Sequence, residues 1–139
     1  MVSLSEVLLV YVPYIALVTR IWMGANMMIH GYPKIKNLKH TAQQTNQAVG
    51  IPIKVTYVAS ILEFFGGIFL IIGLIVPIVS MFFAIYMISI VLMKRKKMKA
   101  SYIDPNGPSY EIDITYLIIS IVLIILGAGA LSIDSLIKL

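Results

Sequence analysis

The sequence predicts an all-α integral membrane protein, a four-helix bundle with a short interfacial helix between its first and second spans. Three observations carry this reading. Of the 139 residues, 60% are hydrophobic and only 12% charged, about half the charged share of a soluble domain, and the mean hydropathy is +0.96. The apolar residues come in four long blocks, each approaching or exceeding the roughly 20 residues that cross a bilayer as a helix. The basic residues collect in the connections between those blocks. A single domain over residues 1–139 follows, since the spans must pack on one another.

The first span is expected over about residues 7–30, with Pro13 placed to kink it and Gly31, Tyr32 and Pro33 to end it. MVSLSEVLLV lacks a basic leader segment and a small-residue cleavage site, so this block reads as a retained span. The polar stretch after it, Pro33 to Pro52, carries Ile35, Leu38 and Ala42 at helical spacing, which suggests the interfacial helix, broken by Gly50 and Pro52. Span two is expected over 54–74, where Ala59 and Gly67 flank Glu63 by one turn each and Gly66, Gly67 and Gly73 permit close helix contact. Only Gly73 to Pro77 separates it from span three, so the two should be antiparallel neighbours. Span three, about 77–93, has Ser80, Tyr86 and Ser89 as its polar exceptions. After KRKKMK (94–99) and the turn-rich SYIDPNGPSY, span four is expected over 112–131, with Asp113 in its first turn.

This arrangement puts both long connections on one side, with nine of the eleven Lys and Arg residues. The positive-inside rule then places those loops in the cytoplasm and both termini outside, in a multi-pass protein of the cell membrane. The net charge of +5 is accounted for in the same way, through contact with anionic lipid head groups. No nucleic-acid partner is expected, because no basic face with interleaved aromatics exists outside the apolar blocks. The absence of cysteine excludes disulfides and thiolate chemistry.

Arg20 is the residue that most needs a partner, since an arginine deep in a spanning helix costs about 2.5–3.5 kcal/mol on insertion scales. With span one ending near His30, Arg20 and Glu63 fall at the same depth, and a charge-assisted Arg20–Glu63 pair is expected. Such a pair either only fixes the packing of spans one and two or also lines a ligand pocket or proton route. Nearer the cytoplasm, Asn26, His30 and Tyr32 should meet Glu111, Asp113 and Tyr116. His30 there is either a proton relay or a helix-end hydrogen bonder. No metal site is expected, because the ligand spacings HExxH and ExxH are absent. The eight Met and eight Tyr read as span packing and interface anchors.

Arg20 followed by HGYPK (30–34), the Gly50-Ile51-Pro52 turn, and Glu63-Phe64-Phe65-Gly66-Gly67 with Gly73 form an ordered set. Glu111, Gly127-Ala128-Gly129, Ser132 and Asp134 complete it. In this order and spacing the chain resembles the DoxX family of small four-span membrane proteins, related to the DoxD subunit of thiosulfate:quinone oxidoreductase. The resemblance touches every span but the third. It implies a membrane subunit of a quinone-linked respiratory or sulfur redox complex, without a redox centre of its own and with other membrane subunits as partners. Arg20, Glu63, Asn26, His30, Glu111 and Tyr116 would line the ligand or quinone pocket. An accessory subunit with no site is the main alternative. A small transporter is a further one, disfavoured by four spans and no visible inverted repeat. The Ile-rich, Lys-rich, cysteine-free composition also suits a thermophilic source.

Overall fold

The computed structural model of the chain describes residues 3–138. These form seven helices: α1 (Leu4–Leu9), α2 (Val12–Lys36), α3 (Leu38–Val49), α4 (Ile53–Ile72), α5 (Val76–Lys97), α6 (Glu111–Leu126) and α7 (Ile133–Ile137). The α-helical class is as the sequence predicts; the β pairing among the described residues is an isolated bridge between Ser101 and Ser109 in the α5–α6 loop. Helices α2, α4 and α5 are long and apolar enough to cross a membrane. Helix α6 is apolar too, but its 16 residues rise only about 24 Å, short of a hydrocarbon layer of roughly 30 Å.

The first expected span is built differently from its sequence reading. Ser3 and Glu6 form a reciprocal capping box on α1, the chain turns at Val10 and Tyr11, and α2 starts anew with Pro13 in its first turn. Proline is at home there, since a first-turn N–H has no helical partner anyway. So Pro13 opens a helix and does not kink one. At its other end α2 runs through Gly31 and Pro33 to Lys36. Gly31 is a packing glycine and not a stop: a Cβ there would lie 2.9 Å from the backbone nitrogen of Phe64 on α4. Pro33 falls in the last turn, where one missing backbone bond is tolerated.

The later elements follow the expected order. A helix, α3, does fill the polar connection, buries Ala42 and ends at Gly50 with φ +73°. Span three extends through the basic run to Lys97. The helix expected as the fourth span stops early, at Leu126, because Gly127 (φ +68°) and Gly129 (φ +75°) turn the backbone out of it. Residues 127–132 are therefore irregular, where the sequence suggests helix to 131.

Helices α2 and α4 pack antiparallel at backbone distance. A Cβ on Gly24 would stand 2.5 Å from the Gly67 carbonyl oxygen, and one on Gly67 2.7 Å from that of Gly24. Helix α4 passes to α5 through the turn at 73–75, and Gly66 sits against the Phe83 ring. Helix α5 packs on α6, and Ser120 of α6 meets Met23 of α2. Buried Met23, Met27, Leu70, Val79, Phe83 and Leu123 fill the middle near the 73–75 turn. Toward the two long connections the pairs α2/α4 and α5/α6 enclose a cavity of about 1120 Å³. The outer surface is apolar, with Trp22, Ile29, Val58, Ile78, Ile85 and Ile125 exposed, as a face turned to lipid requires.

Candidate functional site

The cavity wall is mostly hydrocarbon, from side chains such as Met27, Val58, Leu62, Phe82 and Ile90. Set into it is a polar cluster centred on Glu63, which is only 3% exposed. One Glu63 carboxylate oxygen accepts from Lys34 Nζ at 2.6 Å and from Tyr86 Oη at 3.1 Å. These three groups come from α4, α2 and α5, so the Tyr86 hydroxyl ties the two helix pairs together across the cavity. Lys34 reaches Glu63 because α2 continues past Pro33. Positions 30 and 34 then share a helix face, and His30 and Lys34 both line the cavity.

A second pair lies on the facing helices. Lys94 Nζ donates to Asp113 at 2.6 Å and to the Ser109 carbonyl at 3.0 Å. Asp113 is in the first turn of α6, where the free N–H groups favour a carboxylate. Each ion pair is closed within its own helix pair, so these four charges cancel locally. Thr56 Oγ1 is buried, lines the cavity and has no hydrogen-bond partner among the described residues.

Four of the six pocket residues expected from the sequence, Asn26, His30, Glu63 and Tyr116, do line this cavity. Arg20 and Glu111 do not. Glu111 is exposed in the first turn of α6, one residue round from the cavity face. Tyr32 lies instead beside Phe64, with ring centroids 6.2 Å apart. The expected Arg20–Glu63 pair does not form. The depth comparison assumed that span one ended near His30, but α2 runs on to Lys36. Arg20 is thus about 24 Å from the loop end of its helix, whereas Glu63 is only about 15 Å from the start of α4. Lys34, read as a loop residue, takes the place assigned to Arg20, and Tyr86 and Lys94 were not among the expected site residues.

Arg20 serves the opposite end of the molecule. Its two terminal nitrogens donate to the carbonyls of Ala128 and Leu131, in the irregular stretch after α6. Beside it, the Asp134 carboxylate accepts from the Ile75 and Val76 amides at 2.6 and 2.9 Å and so caps α5, while the Asp134 amide donates to the Gly73 carbonyl at 2.9 Å. Non-helical backbone at membrane depth must be satisfied by protein, and the guanidinium fork does this for two carbonyls at once. At 2% exposure, Arg20 is sealed from the cavity.

The DoxX family model matches residues 15–95 of this chain. The chain belongs to the DoxX family. The match spans α2 to nearly the end of α5 and so contains Lys34, Glu63, Tyr86 and Lys94, although not Asp113. The chain is also 29% identical over 118 residues to a protein of Bacillus subtilis (strain 168) named "Putative oxidoreductase CatD", a match covering 85% of this chain and 83% of that relative. No solved structure matches it. This DoxX protein is thus a membrane protein with several apolar helices and a distant relationship to a protein that bears an oxidoreductase name.

Proposed function

We propose that this DoxX protein is a membrane subunit of a quinone-linked redox complex and that it binds quinone in the cavity between its helix pairs. The observation that carries the reading is the cavity itself: about 1120 Å³, apolar over most of its wall, with the Lys34–Glu63–Tyr86 cluster set into it. Ligand sites combine an apolar envelope with a few placed polar groups in this way, and the volume slightly exceeds that of typical drug-sized sites. A quinone ring suits it, being flat and apolar except for two carbonyl oxygens that need donors. Lys34, His30 and Asn26 are the donors at hand. Lys34, whose side chain is 35% exposed, can also hand a proton inward to Glu63, from which it passes to a reduced ring. The chain has no cysteine, so electrons would come from a redox-active partner subunit. The relative's oxidoreductase name supports the same class.

In this reading α6 and the irregular stretch 127–132 together complete a fourth span, with Arg20 satisfying the non-helical part, and α3 lies at the membrane interface. The α2–α4 connection and the basic α5–α6 loop face the cytoplasm, where Lys36, Lys39, Arg95 and Lys96 meet anionic lipid. A second reading, an accessory subunit without a ligand, is favoured by the sealed Arg20 clamp, which is purely structural.

Titrating the protein in lipid nanodiscs with a tailless benzoquinone and naphthoquinone tests the choice. One saturable site per chain is expected, weakened at least tenfold in Glu63→Gln and in Tyr86→Phe and unchanged in Glu111→Gln. Absence of saturable binding would leave the accessory reading.

A further inference from the structure

The cavity has two seams of different chemistry. Between α2 and α6 it is bordered by Asn26, His30 and Tyr116, groups that bond readily to water. Between α4 and α5 it is bordered by Val58, Leu62 and Ile85, which line the cavity and are also 57%, 37% and 60% exposed. Side chains that belong to both surfaces mark where the cavity meets the outside. Both helices are long and apolar enough to cross a membrane, and in one that outside is hydrocarbon.

The helix geometry explains why this seam exists. Helices α4 and α5 are joined at the 73–75 turn, and their close packing reaches as far as Gly66 against Phe83. One turn further on, the Tyr86–Glu63 hydrogen bond bridges them, and beyond it the cavity lies between them. Each seam residue is placed by its neighbours in the chain. Leu62 adjoins Glu63, Ile85 adjoins Tyr86, and Val58 stands about one turn from Leu62, so the seam opens at the depth of the polar cluster.

Building on the quinone reading above, we propose that the α4–α5 seam is a lateral portal through which a tailed quinone is drawn from the bilayer. The ring reaches the Glu63 cluster, and the isoprenoid tail remains in the seam against Val58, Leu62 and Ile85. A long polyprenyl tail is insoluble in water and stays among lipid chains. A head site about 15 Å in from the helix end therefore needs an apolar opening at its own depth, and this seam supplies one. The tail contacts themselves add little, because each buried CH₂ contributes roughly 0.8 kcal/mol relative to water but almost nothing relative to lipid. Selectivity for tailed over tailless ligand then reflects the ligand's concentration in the bilayer and its unobstructed passage.

The test compares a decyl-tailed quinone with its tailless counterpart in nanodiscs, on the parent protein and on Leu62→Trp/Ile85→Trp. The parent is expected to bind the tailed ligand at least tenfold more tightly. The double variant should lose at least tenfold for the tailed ligand and stay within threefold of the parent for the tailless one. Because two tryptophans can disturb folding, Leu62→Cys, unique in a chain without cysteine, is also labelled after purification with a bulky maleimide, and the same discrimination is expected. A parent that binds both ligands, with variants that bind the tailed one undiminished or lose both equally, overturns the portal and leaves the quinone site standing. A parent that binds neither overturns both.

Discussion

Glu63 and its two donors illustrate how a bilayer tolerates charge. The carboxylate is enclosed, while Lys34 keeps its side chain 35% exposed and can reach water if its partner is lost. Glu63→Gln should therefore fold, with a stability loss of about 1–2 kcal/mol from weaker hydrogen bonds. Its main effect should be on ligand affinity, as titration would reveal. Arg20 has no such escape. Arg20→Ala strands the Ala128 and Leu131 carbonyls and leaves Asp134 without its nearby cation, and losing one member of a buried charge cluster costs about 3–5 kcal/mol. A larger drop in thermal midpoint in detergent than for Glu63→Gln is expected, with ligand affinity unaltered in the protein that folds. Arg20→Lys should not restore it, since a single ammonium cannot reproduce the fork. A midpoint unchanged in Arg20→Ala would refute the clamp.

At the scale of elements, glycine sets how near the helices come. Gly67→Val should separate α2 from α4, because its Cβ would sit 2.7 Å from the Gly24 carbonyl oxygen, and overpacking of this kind costs about 1–3 kcal/mol or more. Gly73, with φ +73° and the Arg20 guanidinium against it, is closed to any side chain. The α4–α5 turn depends equally on Asp134, which reaches it from the C-terminal segment to cap α5. Asp134→Ala should cost more than the roughly 0.5–2 kcal/mol of a lost cap, because it also leaves buried Arg20 without its nearby anion, and it should speed hydrogen exchange at the Ile75 and Val76 amides while sparing the middle of α4. Uniform acceleration would mean that the cap is not local. Gly31 and Pro33 belong to the same scale. Both are ordinary stop signals in a sequence, yet here α2 runs through them, because the glycine makes room for Phe64 and the proline sits within one turn of the end.

Over the whole molecule, charge asymmetry and cavity point the same way. The polar cluster opens toward the end that carries nearly all the basic residues, so ligand chemistry and the loops proposed to be cytoplasmic would share a side. Single cysteines introduced at Ser5 and Lys97 can check this with a membrane-impermeant maleimide on intact cells. Ser5→Cys should label at once and Lys97→Cys only after lysis; the reverse would invert the protein and move the site to the outer face.

The sequence by itself determined the helical class, the family, the membrane setting and four of the cavity-lining residues, because burial in lipid is a property each residue carries with it. The second apolar block and the punctuation at Gly50 and Pro52 carry over into the structure nearly as read. Asn26, His30, Glu63 and Tyr116 were legible as cavity-lining residues because each is polar where its helix has no other use for polarity. The partners were not legible. Whether Glu63 meets Arg20 or Lys34 depends on where α2 ends, and that depends on Phe64 of another helix making a continuous α2 the better fit around Gly31. The task of Arg20 depends on Gly127 and Gly129 breaking α6 more than a hundred residues away. Hydrophobicity acts residue by residue, whereas pairing requires two helices to agree on length and rotation, and only the tertiary structure fixes those.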